Sequence, residues 1–166
     1  MTIDEPSATR VYDQLTIANI AHVRQESLNC DRVITVCQEP VSDNVSAPYE
    51  FYNLSDGEGG DSSYESPSCG NQSSTGSQDN YGGECSYELF AAAAGSLVDA
   101  LHRGEDVVIH CHRGKSRSAS VAVAATAVRY SMFWHYARDA IERQRPQIDP
   151  NEQLVEYGKR FVIING

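Results

Sequence analysis

Lysine is nearly absent from this chain. Of its 13 basic residues only Lys115 and Lys159 are lysines, and 23 acids leave a formal charge of -10 at pH 7. A protein so short of basic surface is not built for the phosphate backbone of nucleic acid or for an anionic membrane face. An acid-rich, lysine-poor surface suits concentrated salt, where self-repulsion is screened, so a halophilic protein is expected. The start, MTIDEPSATR, has neither the basic flank nor the apolar stretch of a signal peptide, so no such leader is expected. The longest near-apolar run, Ala119 to Val128, is too short to span a bilayer and is interrupted by Ser120 and Thr126. The five cysteines (Cys30, Cys37, Cys69, Cys85, Cys111) are odd in number and contain no C-x-x-C pair. That argues against a disulfide framework or a zinc site and for reduced thiols in a cytoplasm. The histidines outside the loop discussed below (His22, His102, His135) are too scattered for a metal site. No metal or other cofactor is expected, and the oligomeric state is not legible.

What is present reads as one globular domain: 166 residues, 40% hydrophobic and 22% charged. Residues 1–9 read as a tail and 10–163 as the domain. Gln14 to Ala18, Arg32 to Cys37 (RVITVC), Tyr49 to Leu54 (YEFYNL) and Asp106 to His110 (DVVIH) carry the β-branched or short apolar runs of strands. Helical spacing marks Ala21 to Ser27, Ser86 to His102, Ser116 to Tyr130, Trp134 to Arg145 and Asn151 to Val162, with Gly104 and the Pro146 to Pro150 turn as stops. Strands alternating with helices imply an α/β domain with a mostly parallel sheet of about four to five strands. Residues 57–84 are different. They are rich in Gly, Ser and acids and contain no Lys, Arg, Leu, Ile or Val, so a flexible insert is expected there.

The chemistry is concentrated in VVIHCHRGKSRSAS, where a strand runs into a short loop that opens a helix. Such a loop aims successive N–H groups and the positive helix end at one spot, forming an anion-binding nest. Cys111 stands at the strand end and Arg117 six positions later. The amides of His112, Arg113, Gly114, Lys115, Ser116 and Arg117 can hold a tetrahedral dianion, and the Arg117 guanidinium can clamp two of its oxygens. The same field favours the reactive thiolate of Cys111. Gly114 allows a turn in which a side chain would collide.

HCHRGKSRS resembles the H-C-x5-R-S/T signature of the protein-tyrosine phosphatase superfamily, and the short chain resembles its dual-specificity branch. RVITVC resembles the strand ahead of that family's acid loop, and YEFYNLSD the tract that ends in its general acid. RQRPQIDPNEQLVEYGKRF resembles its closing helix-turn-helix. The resemblance implies a phosphomonoester hydrolase that forms a thiophosphate on Cys111, with Arg117 on the equatorial oxygens and Asp56 as general acid. It further implies that Ser118 hydrogen-bonds the departing thiolate and that His110 orients the loop. The insert leaves Asp61 and Asp79 as alternatives to Asp56. Phosphotyrosine proteins, with phosphoserine and phosphothreonine as further targets, are the expected substrates. Because His112, Arg113 and Lys115 add cations to the loop, inositol phosphates, lipid-linked or other polyanionic phosphates are an alternative, and a non-catalytic phosphoprotein-binding module is a second. Cys37 is read either as a buried structural thiol or as a partner for a reversible disulfide with Cys111.

Overall fold

A computed structural model describes residues 5–25, 28–41, 45–55 and 86–166. The insert at 57–84 and the carboxylates Asp56, Asp61 and Asp79 lie outside the described residues. In chain order the elements are β1 (Ala8–Tyr12), β2 (Leu15–Ala18), α1 (Ile20–Gln25), β3 (Arg32–Thr35) and β4 (Tyr49–Phe51). They are followed by α2 (Tyr87–His102), β5 (Val107–His110), α3 (Arg117–Arg129), α4 (Trp134–Gln144) and α5 (Glu152–Asn165). The sheet order is β1-β2-β5-β3-β4; β1 pairs antiparallel with β2, and every other pairing is parallel. The expected α/β domain with a mostly parallel sheet is therefore observed.

β5 is central because it is apolar on both faces. Val107 and Ile109 point into the larger core with α2, α3 and α5, while Val108 joins Ala18, Ile20, Val23 and Val33 in a smaller core beneath α1. This is the period-2 alternation of a strand covered on both sides. Its register, Ile109 opposite Ile34 and His110 opposite Thr35, brings the C-terminal ends of β3 and β5 together.

Two details differ from the sequence reading. The sheet takes in Ala8 and Thr9, which were expected in a tail, and Asn19 ties the segment further. Its side chain accepts from Ser7 N at 3.0 Å and donates to Glu5 O at 2.8 Å. β1 is an edge strand with Val11 its one buried residue, so it lacks the apolar run that marks the inner strands. β4 ends at Phe51, earlier than YEFYNL suggests.

One ion cluster holds the far end of the sheet. Arg32 on β3 donates to Glu105 at 2.7 Å and to Glu50 on β4 at 2.9 Å. Glu50 also accepts from Tyr52 Oη at 2.8 Å and from Ser96 Oγ on α2. Hydrogen bonding to Arg32, then to Arg103, lowers the Glu105 carboxyl from 4.5 to about 2. A lowered acid pKa stabilises the fold above the unfolded value and loses that contribution as pH falls through the folded one. Glu105→Gln is expected to cost about 1 kcal/mol at neutral pH. The difference from wild type should close as pH falls from 4.5 through about 2, as urea melts of both proteins would show.

Candidate active site

The loop between β5 and α3 is defined by where its carbonyl oxygens go. His112 O accepts from Ile20 N at 3.1 Å, Gly114 O from Arg145 Nε at 3.0 Å and Lys115 O from Asp149 N at 2.8 Å. Ser116 O accepts from Ser120 N at 2.8 Å and from Ser120 Oγ at 2.7 Å. A trans peptide points its N–H opposite its C=O. Carbonyls anchored to surrounding elements therefore turn the following amides, those of Arg113, Lys115, Ser116 and Arg117, toward the loop centre, which is an anion nest. Gly114 makes the turn at φ +71°, and a methyl group there would stand 2.8 Å from Ala18 O. No other residue fits that position without displacing β2's end.

Cys111 follows β5 directly and is 2% exposed. Its Sγ lies 3.2 Å from Ser118 Oγ, on the first turn of α3. Arg117 opens the same helix; its Nη1 reaches Leu54 O at 3.3 Å and Gln38 Oε1 at 3.5 Å, while its Nε is buried without a hydrogen-bond partner among the described residues. A cleft of about 340 Å³ opens beside Arg117, lined by Cys37, Gln38, Glu39, His112 and Arg117. His112, Arg113 and Lys115 are exposed, and His112 Nδ1 stands 3.5 Å from Glu39 Oε1. Among the described residues no carboxylate pairs with Arg113 or Lys115, and no group of three His, Cys, Asp or Glu could hold a metal ion.

His110 is fully buried beside the nucleophile position. Its Nδ1 lies 3.3 Å from Cys111 O, which can only accept, and its Nε2 lies 2.7 Å from Thr35 Oγ1. The proton therefore sits on Nδ1, and Nε2 accepts from the threonine hydroxyl. Burial, the largest effect, lowers its pKa from 6.5 to about 4. The ring is a neutral brace between β3 and β5. Burial likewise pushes the Cys37 thiol up to about 11, so near neutrality it is protonated and a poor attacking nucleophile.

The sequence located Cys111, Arg117, Ser118, His110 and the loop glycine, and the fold brings them together. It missed Thr35, visible only through register, and Arg145, whose position ahead of Pro146 reads as an ordinary helix stop. It also missed Glu39, which follows β3 and faces His112 across the cleft.

No protein-family model matches the chain. Over 60 residues, 36% of this chain, it is 38% identical to the tyrosine-protein phosphatase YVH1 of Saccharomyces cerevisiae. Over 73 residues, 42% of the chain, it is 27% identical to MAP kinase phosphatase with leucine-rich repeats protein 3 of Dictyostelium discoideum. These matches span 16% and 8% of the relatives' own lengths. Among solved structures, the human tyrosine phosphatase-like serine/threonine/tyrosine-interacting protein superposes with a TM-score of 0.68 at 15% identity, covering 95% of this chain and 96% of that one. A mouse putative dual specificity phosphatase gives 0.64 at 15% identity, covering 99% and 91%, and PTPMT1 gives 0.64 at 14%, covering 95% of each.

The buried His110 sets a pH window. A histidine with a lowered folded pKa contributes stability above its unfolded value and loses it as pH falls toward the folded one, because the unfolded chain takes the proton first. Wild-type stability should therefore drop between pH 6.5 and about 4. At ~1.4 kcal/mol per unit, that loss amounts to about 3 kcal/mol. His110→Asn should flatten this slope in urea melts, and an unchanged slope would place the titrating group elsewhere.

Proposed function

The chain has the fold of the dual-specificity type of the protein-tyrosine phosphatase superfamily, and from that premise we propose that it hydrolyses phosphomonoesters through a thiophosphate on Cys111. The observation that carries this is the Cys111 Sγ to Ser118 Oγ distance of 3.2 Å beside a loop whose His112, Gly114, Lys115 and Ser116 carbonyls are anchored to surrounding groups. The thiolate attacks phosphorus in line, forming the S–P bond as the P–O bond to the leaving group breaks. A general acid gives the leaving oxygen its proton. Arg117, whose Nε has no partner among the described residues, pairs with the equatorial oxygens together with the loop amides. Water then cleaves the S–P bond, with the same acid now acting as base. The Ser118 hydroxyl donates to the thiolate as it departs. Asp56 is the general acid in this reading, ahead of Asp61 and Asp79, because it ends the YEFYNLSD tract. The neutral His110 holds the Cys111 carbonyl and exchanges no proton in the reaction.

Phosphorylated protein is the substrate class favoured by the curated relatives, whose names are those of tyrosine and MAP kinase phosphatases. One observation favours a second reading: Arg113 and Lys115 stand exposed beside the nest without acidic partners among the described residues. Cations there suit a substrate with further phosphates, and PTPMT1 has been solved in complex with PI(5)P. Turnover of a phosphotyrosine peptide against an inositol-phosphate panel separates the two, and Arg113→Ala should weaken only the polyanionic substrates. A cytoplasmic setting and adaptation to high salt belong to the same proposal and rest on the acid-rich, lysine-poor composition.

The decisive experiment is hydrolysis of p-nitrophenyl phosphate from low to molar salt by wild type, Cys111→Ser, Ser118→Ala and Asp56→Ala. Cys111→Ser should lose all measurable turnover. Asp56→Ala should lose about 100- to 10,000-fold and with it the pH dependence of leaving-group protonation. Ser118→Ala should accumulate the covalent intermediate, seen as a burst of p-nitrophenol. Activity that survives in Cys111→Ser overturns the mechanism. A folded wild type that binds tungstate, the oxyanion in the mouse neighbour's structure, without hydrolysing ester makes the chain a phosphate-binding module instead.

A further inference from the structure

Arg145 is the largest fully buried side chain of the fold, 1% exposed at the end of α4, and among the described residues no carboxylate pairs with it. A buried charge without a counterion is costly and calls for a reason. Its two hydrogen bonds go to neutral acceptors: Nε to Gly114 O at 3.0 Å in the loop and Nη1 to Thr9 Oγ1 at 2.7 Å on β1. Gly114 packs so closely that a methyl group there would stand 2.8 Å from Nη2. Holding a loop carbonyl outward does not in itself require a cation. The adjacent carbonyl, that of Lys115, is held by the plain backbone amide of Asp149 at 2.8 Å. Burial lowers the Arg145 pKa from the usual arginine range, and the one charge acting against that trend is Cys111.

We propose that Arg145 is a positioning residue that fixes the Gly114 carbonyl outward and supplies, from behind the loop, the dehydrated positive charge that balances the Cys111 thiolate and the phosphoryl dianion. Its counterion arrives with the substrate. This rests on Cys111 as the nucleophile. The geometry gives the residue two separable tasks, donor and charge, and three substitutions divide them. Arg145→Gln retains a donor and removes the charge, Arg145→Lys retains the charge and loses the fork, and Thr9→Val loosens the guanidinium while leaving both.

The experiment compares wild type with these variants by thermal melt, by the rate at which iodoacetamide alkylates Cys111 at neutral pH (read by mass spectrometry of its peptide), and by kcat and KM on p-nitrophenyl phosphate. Arg145→Gln should melt cooperatively yet alkylate about tenfold more slowly and lose about tenfold in kcat, less than the ~100-fold or more of a donor on the oxyanion itself. Arg145→Lys should alkylate at nearly the wild-type rate and recover part of kcat. Thr9→Val should raise KM with little change in alkylation. A folded Arg145→Gln that alkylates and turns over as wild type does overturns the proposal. If that variant does not fold, a folded Arg145→Lys that alkylates about tenfold below wild type overturns it instead, because the charge would then be insufficient. Alkylation needs no substrate. A wild type with an Arg145-dependent thiolate but no hydrolysis therefore sinks the phosphatase reading and supports this one, whereas an active enzyme indifferent to Arg145 does the reverse.

Discussion

The outward anchoring of the carbonyl oxygens between β5 and α3 is the constraint on which the site depends. A buried carbonyl left without a donor costs about 1–3 kcal/mol, so each one needs a partner on a surrounding element. The start of α1 supplies Ile20 N, the end of α4 supplies Arg145, the turn before α5 supplies Asp149 N, and α3 itself supplies Ser120. The turn contributes once more, because Asn151 N donates to Ser116 Oγ at 2.9 Å and the Asn151 side chain then caps α5. Elements far apart in sequence thus converge on one short loop. The loop is pre-organised before any anion reaches it, which is the condition for electrostatic catalysis without reorganisation.

The groups nearest Cys111 are sorted by charge in a consistent way. His110 and Cys37 are buried and neutral, each held so by desolvation. Arg117 and Arg145 carry guanidinium cations. On the reading proposed above, cationic guanidinium groups and neutral buried partners together suit a thiolate and a dianion. Glu39 lies at the rim, exposed and paired with His112, where solvent screens it. A carboxylate on the floor would have opposed substrate binding.

Much of this was legible in the chain because local signals agreed with the global fold. RVITVC and DVVIH are short apolar runs between turn residues and could hardly be anything but inner strands. SYELFAAAAGSLVDALH carries both its helical spacing and its cap, Ser86 Oγ accepting from Leu89 N at 3.0 Å. The Cys111 to Ser118 segment was legible because its chemistry depends on spacing along one strand, loop and helix. What escaped depends on contacts between distant segments. β1 has a single buried residue and owes its place to pairing with β2. Thr35 meets His110 through the register of two strands 75 positions apart. Arg145 carries no local mark of burial, since a basic residue in a helix's last turn is ordinarily solvated and favoured there by the dipole.

The composition of α3 follows from the same constraint. The helix must place its N-terminus directly beneath the loop, and it is packed against α2, α4 and α5 along its length. Neighbours on three sides leave room only for small side chains, hence RSASVAVAATAVR, buried from Ser118 to Ala127. In the N-terminal turn Ser118 and Ala119 are fully inaccessible. The buried side of that turn lowers the local dielectric in which the field of the helix end acts. Larger residues at the buried Ala119 or Ala122 would displace α3 and with it Arg117 and Ser118. The small-residue helix is therefore part of the site's geometry as much as of its core, and an overpacked α3 should lose thiolate reactivity before it loses the fold.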